Sequence, residues 1–307
     1  MSPPRKLVVL DLNGTLVFRP PGPSGKPRKI HPRPYMNVFA QFLALHSGLD
    51  TMIWSSAQPH NVETMVDRAF GSLRSGLKHV WARDTLGLSQ RDFSRKVQTV
   101  KDLNILWRDL PEQVLEKERY SALNTVLLDD SALKAHLQPY NHLPLPEYDA
   151  ALRKNDLAAI EEIDKSAPGE PRQFRFDPSL LAVVGVLDEL VRQDSVCAWI
   201  HADGLWAGFK DWVGVTPQSD MLALNLIPQE IPQESKGLTA PIKKKPRWRD
   251  RRKNLEDPSP SPVWFSNQLC FEHWVARGTK AAEKLGIVVH HGLPLSGSPN
   301  PLPSLTK

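Results

Sequence analysis

Leu7-Val8-Val9-Leu10-Asp11-Leu12-Asn13-Gly14-Thr15 joins an unbroken apolar run to an acid and then to a turn signal. Lys6 to Leu10 shows no polar alternation, so it predicts a strand buried on both faces, as in a parallel sheet. A carboxylate where such a strand stops stands at the rim where open α/β sheets collect their ligands. Gly14 and Thr15 then supply a tight turn. The design recurs downstream, because Thr125-Val126-Leu127-Leu128-Asp129 is a second apolar run that ends in acid.

Further out, Thr51 to Trp54 and His79 to Trp81 read as strands, and Met36 to Leu45 and His60 to Phe70 as helices, the latter with Pro59 in its first turn. Strands alternating with helices predict an α/β fold with a Rossmann-like parallel sheet. Pro20 to Pro34 reads as a loop or short flap. Residues 84–98 are polar and poorly patterned, which suggests a small insertion or cap. Asp149 to Ile163 and Pro178 to Arg192 are helical patterns separated by a polar linker; the second carries Leu180, Leu181, Val184, Leu187 and Leu190 and is expected to pack on the sheet. From Val215 the composition shifts to proline, glutamine and lysine. A last helix is expected over Asn267 to Leu285, and Pro294 to Lys307 reads as disordered. Three segments result: an α/β domain at 1–148, a helical extension packed on the core at 149–214, and a basic, Pro-rich linker with a C-terminal helix and disordered end at 215–307.

Composition agrees with a folded core plus polar connections, since 40% of the 307 residues are apolar while 28 are proline. Cys197 and Cys270 make neither a disulfide framework nor a metal spacing, which points to a reducing compartment. The first apolar stretch is only five residues long, far short of the roughly 20 that a membrane helix needs. A soluble nuclear or cytoplasmic protein is expected. The net charge of +5 is local. Much of it sits in residues 243–253, where lysines and arginines surround Trp248 and could bind nucleic acid by phosphate pairing and base stacking. A solvated linker is the preferred reading. Trp199, Trp206 and Trp212 are expected to anchor the C-terminal part on the core.

The chemistry gathers at strand ends. Asp11 can act as a nucleophile that forms an aspartyl-phosphate. Ser55, with Ser56 as the fallback, offers a hydroxyl to a phosphate oxygen, and Lys101 can neutralise charge on the phosphoryl group. Asp129 and Asp130, together with Asp11 and the main-chain carbonyl of Asn13, make a hard oxygen set suited to magnesium. Each piece alone is weak, because an Asp-Asp-Ser run is commonly only a helix cap. Their order along the chain is more specific.

Val9 to Val17, Arg33-Pro34, Trp54-Ser55-Ser56-Ala57, Val100-Lys101-Asp102-Leu103, Leu127 to Ser131 and Gln138-Pro139-Tyr140-Asn141 together resemble the C-terminal-domain phosphatase family, NLI-interacting-factor-like, of the haloacid dehalogenase superfamily. The resemblance covers about residues 5–148. It implies a Rossmann-like sheet of the haloacid dehalogenase type and a Mg2+ ion. It also implies Asp11 as nucleophile, Thr15 in the same motif, Ser55 and Lys101 on the phosphate, and Asp129 and Asp130 at the metal. The implied substrate is protein phosphoserine or phosphothreonine. Asn13 departs from the pattern, since active members carry there the aspartate that protonates the leaving group and then activates water. Losing a positioned acid/base costs roughly 10²–10⁴ in rate. A phosphomonoesterase and a pseudophosphatase that holds a phosphorylated partner both remain open, whereas a mitochondrial import-translocase subunit fits poorly without a presequence and a membrane span.

Overall fold

The structure, a computed structural model, describes residues 5–22, 28–110, 120–165, 176–206 and 263–293. The basic run at 243–253, Trp212 and the tail from Pro294 lie outside the described residues. The strands are β1 (Lys6–Leu10), β2 (Val17–Phe18), β3 (His31–Pro32), β4 (Leu49–Trp54), β5 (Val80–Trp81), β6 (Thr125–Asp129) and β7 (His142–Pro144). The helices are α1 (Met36–Leu45), α2 (Pro59–Phe70), α3 (Gln90–Phe93), α4 (Leu103–Asp109), α5 (Ala132–Ala135), α6 (Ala150–Lys165), α7 (Ser179–Leu190), α8 (Val196–His201) and α9 (Gln268–Lys284). No helix among the described residues is long and apolar enough to cross a membrane.

β1 is the central strand of a five-stranded sheet in the order β5-β4-β1-β6-β7, and every pairing in it is parallel. The α/β, Rossmann-like expectation therefore holds. Register carries the site: Leu10 lies opposite both Ile53 and Leu128. The ends of β1, β4 and β6 consequently fall at one rim, with Asp11, Ser55 and Asp129 along it. β2 and β3 form a separate antiparallel ribbon, β3 inside the segment expected as a flap and β2 just before it, with Phe18 stacked on His31 at 6.2 Å.

Successive strand side chains point to opposite faces, and here both faces are covered. Val8 and Leu10 join the larger apolar cluster with α1, α2, α7 and α9; Leu7 and Val9 join Met52, Trp54, Leu103, Leu106 and Leu127 on the other side. α7 is buried around its whole circumference, as an apolar helix with packing on every side should be. Its principal helix neighbours are α9 and α1, and its apolar side chains share one cluster with the sheet residues Val8, Leu10 and Ile53.

The α7–α9 contact is backbone against backbone. A Cβ on Gly278 would lie 1.8 Å from the Leu181 carbonyl oxygen, and one on Gly185 would lie 2.2 Å from the Trp274 oxygen. Trp264 and Trp274 are the fully buried anchors of this part, and their indole N–H groups donate to the carbonyls of Pro144 and Leu205 (3.1 and 2.8 Å). Trp199 and Trp206 pack against the same cluster half-buried, with Trp199 edge-on to Trp274.

Candidate active site

Asp11 leaves β1 with its N–H donated to Leu128 (2.9 Å) and its carboxyl buried. The turn behind it closes through Gly14 N–H to Val17 and Leu16 N–H to Leu12. Gly14 has a φ of +92°, and a Cβ there would press on the Asp130 carboxylate at 2.9 Å. Both the left-handed backbone and the close approach require glycine. Thr15 works from the same turn: its hydroxyl lies 3.1 Å from Asp130 Oδ1 and accepts from the Asp130 N–H at 3.1 Å.

Two ammonium groups separate the carboxylates. Lys101 Nζ lies 2.9 Å from Asp11 Oδ1 and 2.6 Å from Asp129 Oδ2. Lys134 Nζ lies 3.1 Å from Asp11 Oδ2, 3.1 Å from Asp129 Oδ1 and 3.5 Å from Asp130 Oδ1. Each oxygen of Asp11 and of Asp129 thus has a lysine on it. Ligand oxygens of Asp11, Asp129 and Asp130 fall within 4.8 Å of one another, close enough to hold one cation.

Burial opposes ionisation of Asp129, yet the Lys101 and Lys134 charges outweigh it and hold that carboxyl well below the usual range. At Asp130 burial wins, reinforced by Asp11 and Asp129, and the carboxyl is pushed up to about 6. Burial works against the Lys134 charge too, but the three carboxylates raise its pKa well above the ordinary lysine value.

Local sequence explains these positions. Asp102 caps α4 by accepting from the Asn104 N–H, and Gln138 donates to the same oxygen. The preceding Lys101 is thereby fixed at the sheet rim with its side chain fully buried. Its own N–H donates to the Lys134 carbonyl, which ties the two lysines together through the main chain (2.8 Å).

The structure therefore gathers Asp11, Thr15, Lys101, Asp129 and Asp130. Ser55 is buried on the same rim at the end of β4, its hydroxyl accepting from the Ala57 N–H (3.3 Å). Ser56 contributes a main-chain carbonyl to Arg83, whose guanidinium also binds the carbonyls of Asp92, Phe93 and Arg95. That one side chain fastens the 84–98 insertion beside the rim. Asn13 is exposed, and its side-chain oxygen accepts from the Arg19 N–H just ahead of the flap (3.0 Å). Lys134 escaped the sequence reading; its signal is the spacing of four from Asp130, which a one-turn helix converts into a contact.

A second buried network supports the turn. Arg33 donates to the Thr15 carbonyl (3.0 Å), pairs with Asp177 (2.5 Å), reaches the Ser179 hydroxyl (3.0 Å) and lies over the Tyr148 ring. Tyr148 donates its N–H to Gly14 and its hydroxyl to Asp156, which also accepts from the Asp177 N–H. Burial raises the Asp156 carboxyl to about 6, against its hydrogen bonds to Asp177 and Tyr148. A raised carboxyl pKa means that ionisation is disfavoured in the fold, so this group's contribution to stability falls as pH rises from about 4 through 6. Asp156→Asn should therefore melt close to the native chain at pH 4 and above it at pH 7.5. Melting curves across that range check this, and a difference independent of pH would refute it.

Residues 6–170 match the model of the family described as NLI interacting factor-like phosphatase. An uncharacterized FCP1 homology domain-containing protein of Schizosaccharomyces pombe is 33% identical over 209 residues, which span 62% of this chain and 85% of that protein. Among solved structures, Fcp1, an essential RNA polymerase II CTD phosphatase, aligns with a TM-score of 0.41 at 15% identity over 63% of this chain and 69% of that one. A beryllium fluoride-bound variant of the fission yeast enzyme aligns with a TM-score of 0.38 at 12% identity, covering 68% and 66%.

Proposed function

The chain belongs to the NLI interacting factor-like phosphatase family, and from that membership we propose a magnesium-dependent phosphomonoesterase that acts on protein phosphoserine or phosphothreonine. The observation that carries this reading is Asp11, a buried carboxylate at the end of the central strand with an ammonium on each oxygen and two further carboxylates beside it. Three hard oxygen donors converging at this spacing fit magnesium, and Asp11, Asp129 and Asp130 would hold it. When bound, the ion would supply positive charge that offsets the anionic phosphate and the attacking carboxylate.

An Asp11 oxygen attacks phosphorus, the P–O bond to the substrate hydroxyl breaks, and the departing oxygen takes up a proton. Water then cleaves the aspartyl-phosphate and restores Asp11. Lys101 offsets charge on the phosphoryl oxygens, and the Ser55 hydroxyl donates to one of them. Thr15 orients Asp130. Residue 13 is where the proton donor and later base would stand, and an amide can do neither. Turnover is accordingly slow.

Asn13 also favours a second reading, a pseudophosphatase that retains a phosphorylated partner without processing it. The full chain with magnesium should hydrolyse a chromogenic aryl phosphate slowly, and Asp11→Asn should not hydrolyse it at all. Equal rates from the two proteins would overturn the enzyme. A chain that hydrolyses nothing yet binds a phosphoserine peptide would select the second reading.

A further inference from the structure

The ammonium of Lys134 lies on one oxygen from each of Asp11, Asp129 and Asp130, the same three groups that could share a cation. Magnesium takes carboxylate oxygens at about 2.1 Å and needs open octahedral positions around it. An ammonium within 3.1–3.5 Å of an oxygen on each of the same three carboxylates competes for that space, so the two charges exclude each other. Lys101 holds the remaining oxygens of Asp11 and Asp129 and is sealed in, with 0% of its side chain exposed; Lys134 retains 15% and sits in the one-turn α5. Of the two lysines, only Lys134 has a route to solvent along its flexible four-carbon stem.

We infer that Lys134 is a built-in occupant of the cation pocket, which magnesium must displace before the site can load. The inference rests on the metal-site reading above. It makes the metal-free chain a largely compensated state, because two ammonium groups face three carboxylates, and without Lys134 those carboxylates would face Lys101 alone. Magnesium affinity is lowered by the same ion pairs that keep the metal-free chain folded. A phosphate is admitted only after the lysine has left, so metal availability sets the fraction of chains competent to bind one.

The test uses the full chain and magnesium alone. Lys134→Met keeps an unbranched side chain, one atom shorter, and removes its charge. Calorimetric titration should show magnesium binding at least tenfold more tightly to Lys134→Met than to the native chain, and Lys134→Arg should return to weak binding. Metal-free Lys134→Met should melt below the native chain, and saturating magnesium should close the gap. Equal affinities would overturn the inference while leaving the metal site intact. Looser binding by Lys134→Met would overturn it as well, making Lys134 a support for the ion. Absence of magnesium binding to every form would remove the metal site and the inference together. Should Lys134→Met fail to fold without metal, the native chain labelled at lysine Nζ provides the readout. Saturating magnesium should move one buried ammonium resonance to the position of exposed lysines, and an unmoved spectrum would overturn the displacement.

Discussion

Asn13→Asp is expected to raise hydrolysis by roughly 10²–10⁴-fold, the range that a positioned general acid/base contributes. The substitution is sterically small, and residue 13 is exposed. A carboxylate oxygen can accept from the Arg19 N–H as the amide oxygen does, so that contact survives. The change is confined to proton transfer. It should be largest for a phosphoserine peptide, whose alkoxide leaves poorly without a proton, and smaller for an aryl phosphate, whose phenolate leaves readily. Steady-state rates on both substrates distinguish restoration of an acid from a general improvement in binding. No gain on either would mean that the site fails for reasons beyond residue 13.

Gly278→Ala is expected to destabilise the fold by about 3 kcal/mol or more, at or above the usual range for an overpacked methyl group. In an ordinary helix the change would stabilise by up to about 1 kcal/mol, since alanine restricts the unfolded chain. Here the new Cβ would overlap the Leu181 carbonyl at 1.8 Å, and the Gly185 N lies only 2.8 Å away. Both obstacles are main chain, so no rotamer relieves them. α7 and α9 would have to separate, opening the layer around Trp274. The melting temperature should fall by roughly 6–12 °C. Gly76→Ala, whose Cβ meets nothing within 4 Å, serves as the control and should change stability little. A Gly278→Ala chain that melts like the control would refute the close contact.

Legibility followed the length and chemical purity of each signal. β1 and β6 were readable because each is a fully buried apolar run closed by an acid, and α1 because its apolar residues keep helical spacing. β7 was not: it is a three-residue edge strand containing Pro144, too short to show a period. The start of α4 is fixed by Asp102, whose side chain caps the helix and so aligns the neighbouring Lys101 at the rim. Asp11, Thr15, Asp129 and Asp130 meet because strand register brings distant motifs to one rim. Lys134 belonged to no motif, and only the single turn after β6 brings it to Asp130. Trp264 and Trp274 could be seen as aromatic residues near a helix, but nothing local said that their N–H groups would find Pro144 and Leu205.

Arg33 has a consequence for anyone who wishes to excise the phosphatase unit by homology. The family match stops at residue 170, whereas Asp177 and Ser179, which receive the guanidinium that steadies the Thr15 carbonyl, come afterwards. A cut at that boundary would strand a cation inside the protein and strip α7 from α1. The smallest portable piece of this chain is accordingly larger than its homology footprint: it must carry α7, and, because α7 is closed on its outer side by α9, it must extend through Lys284 as well.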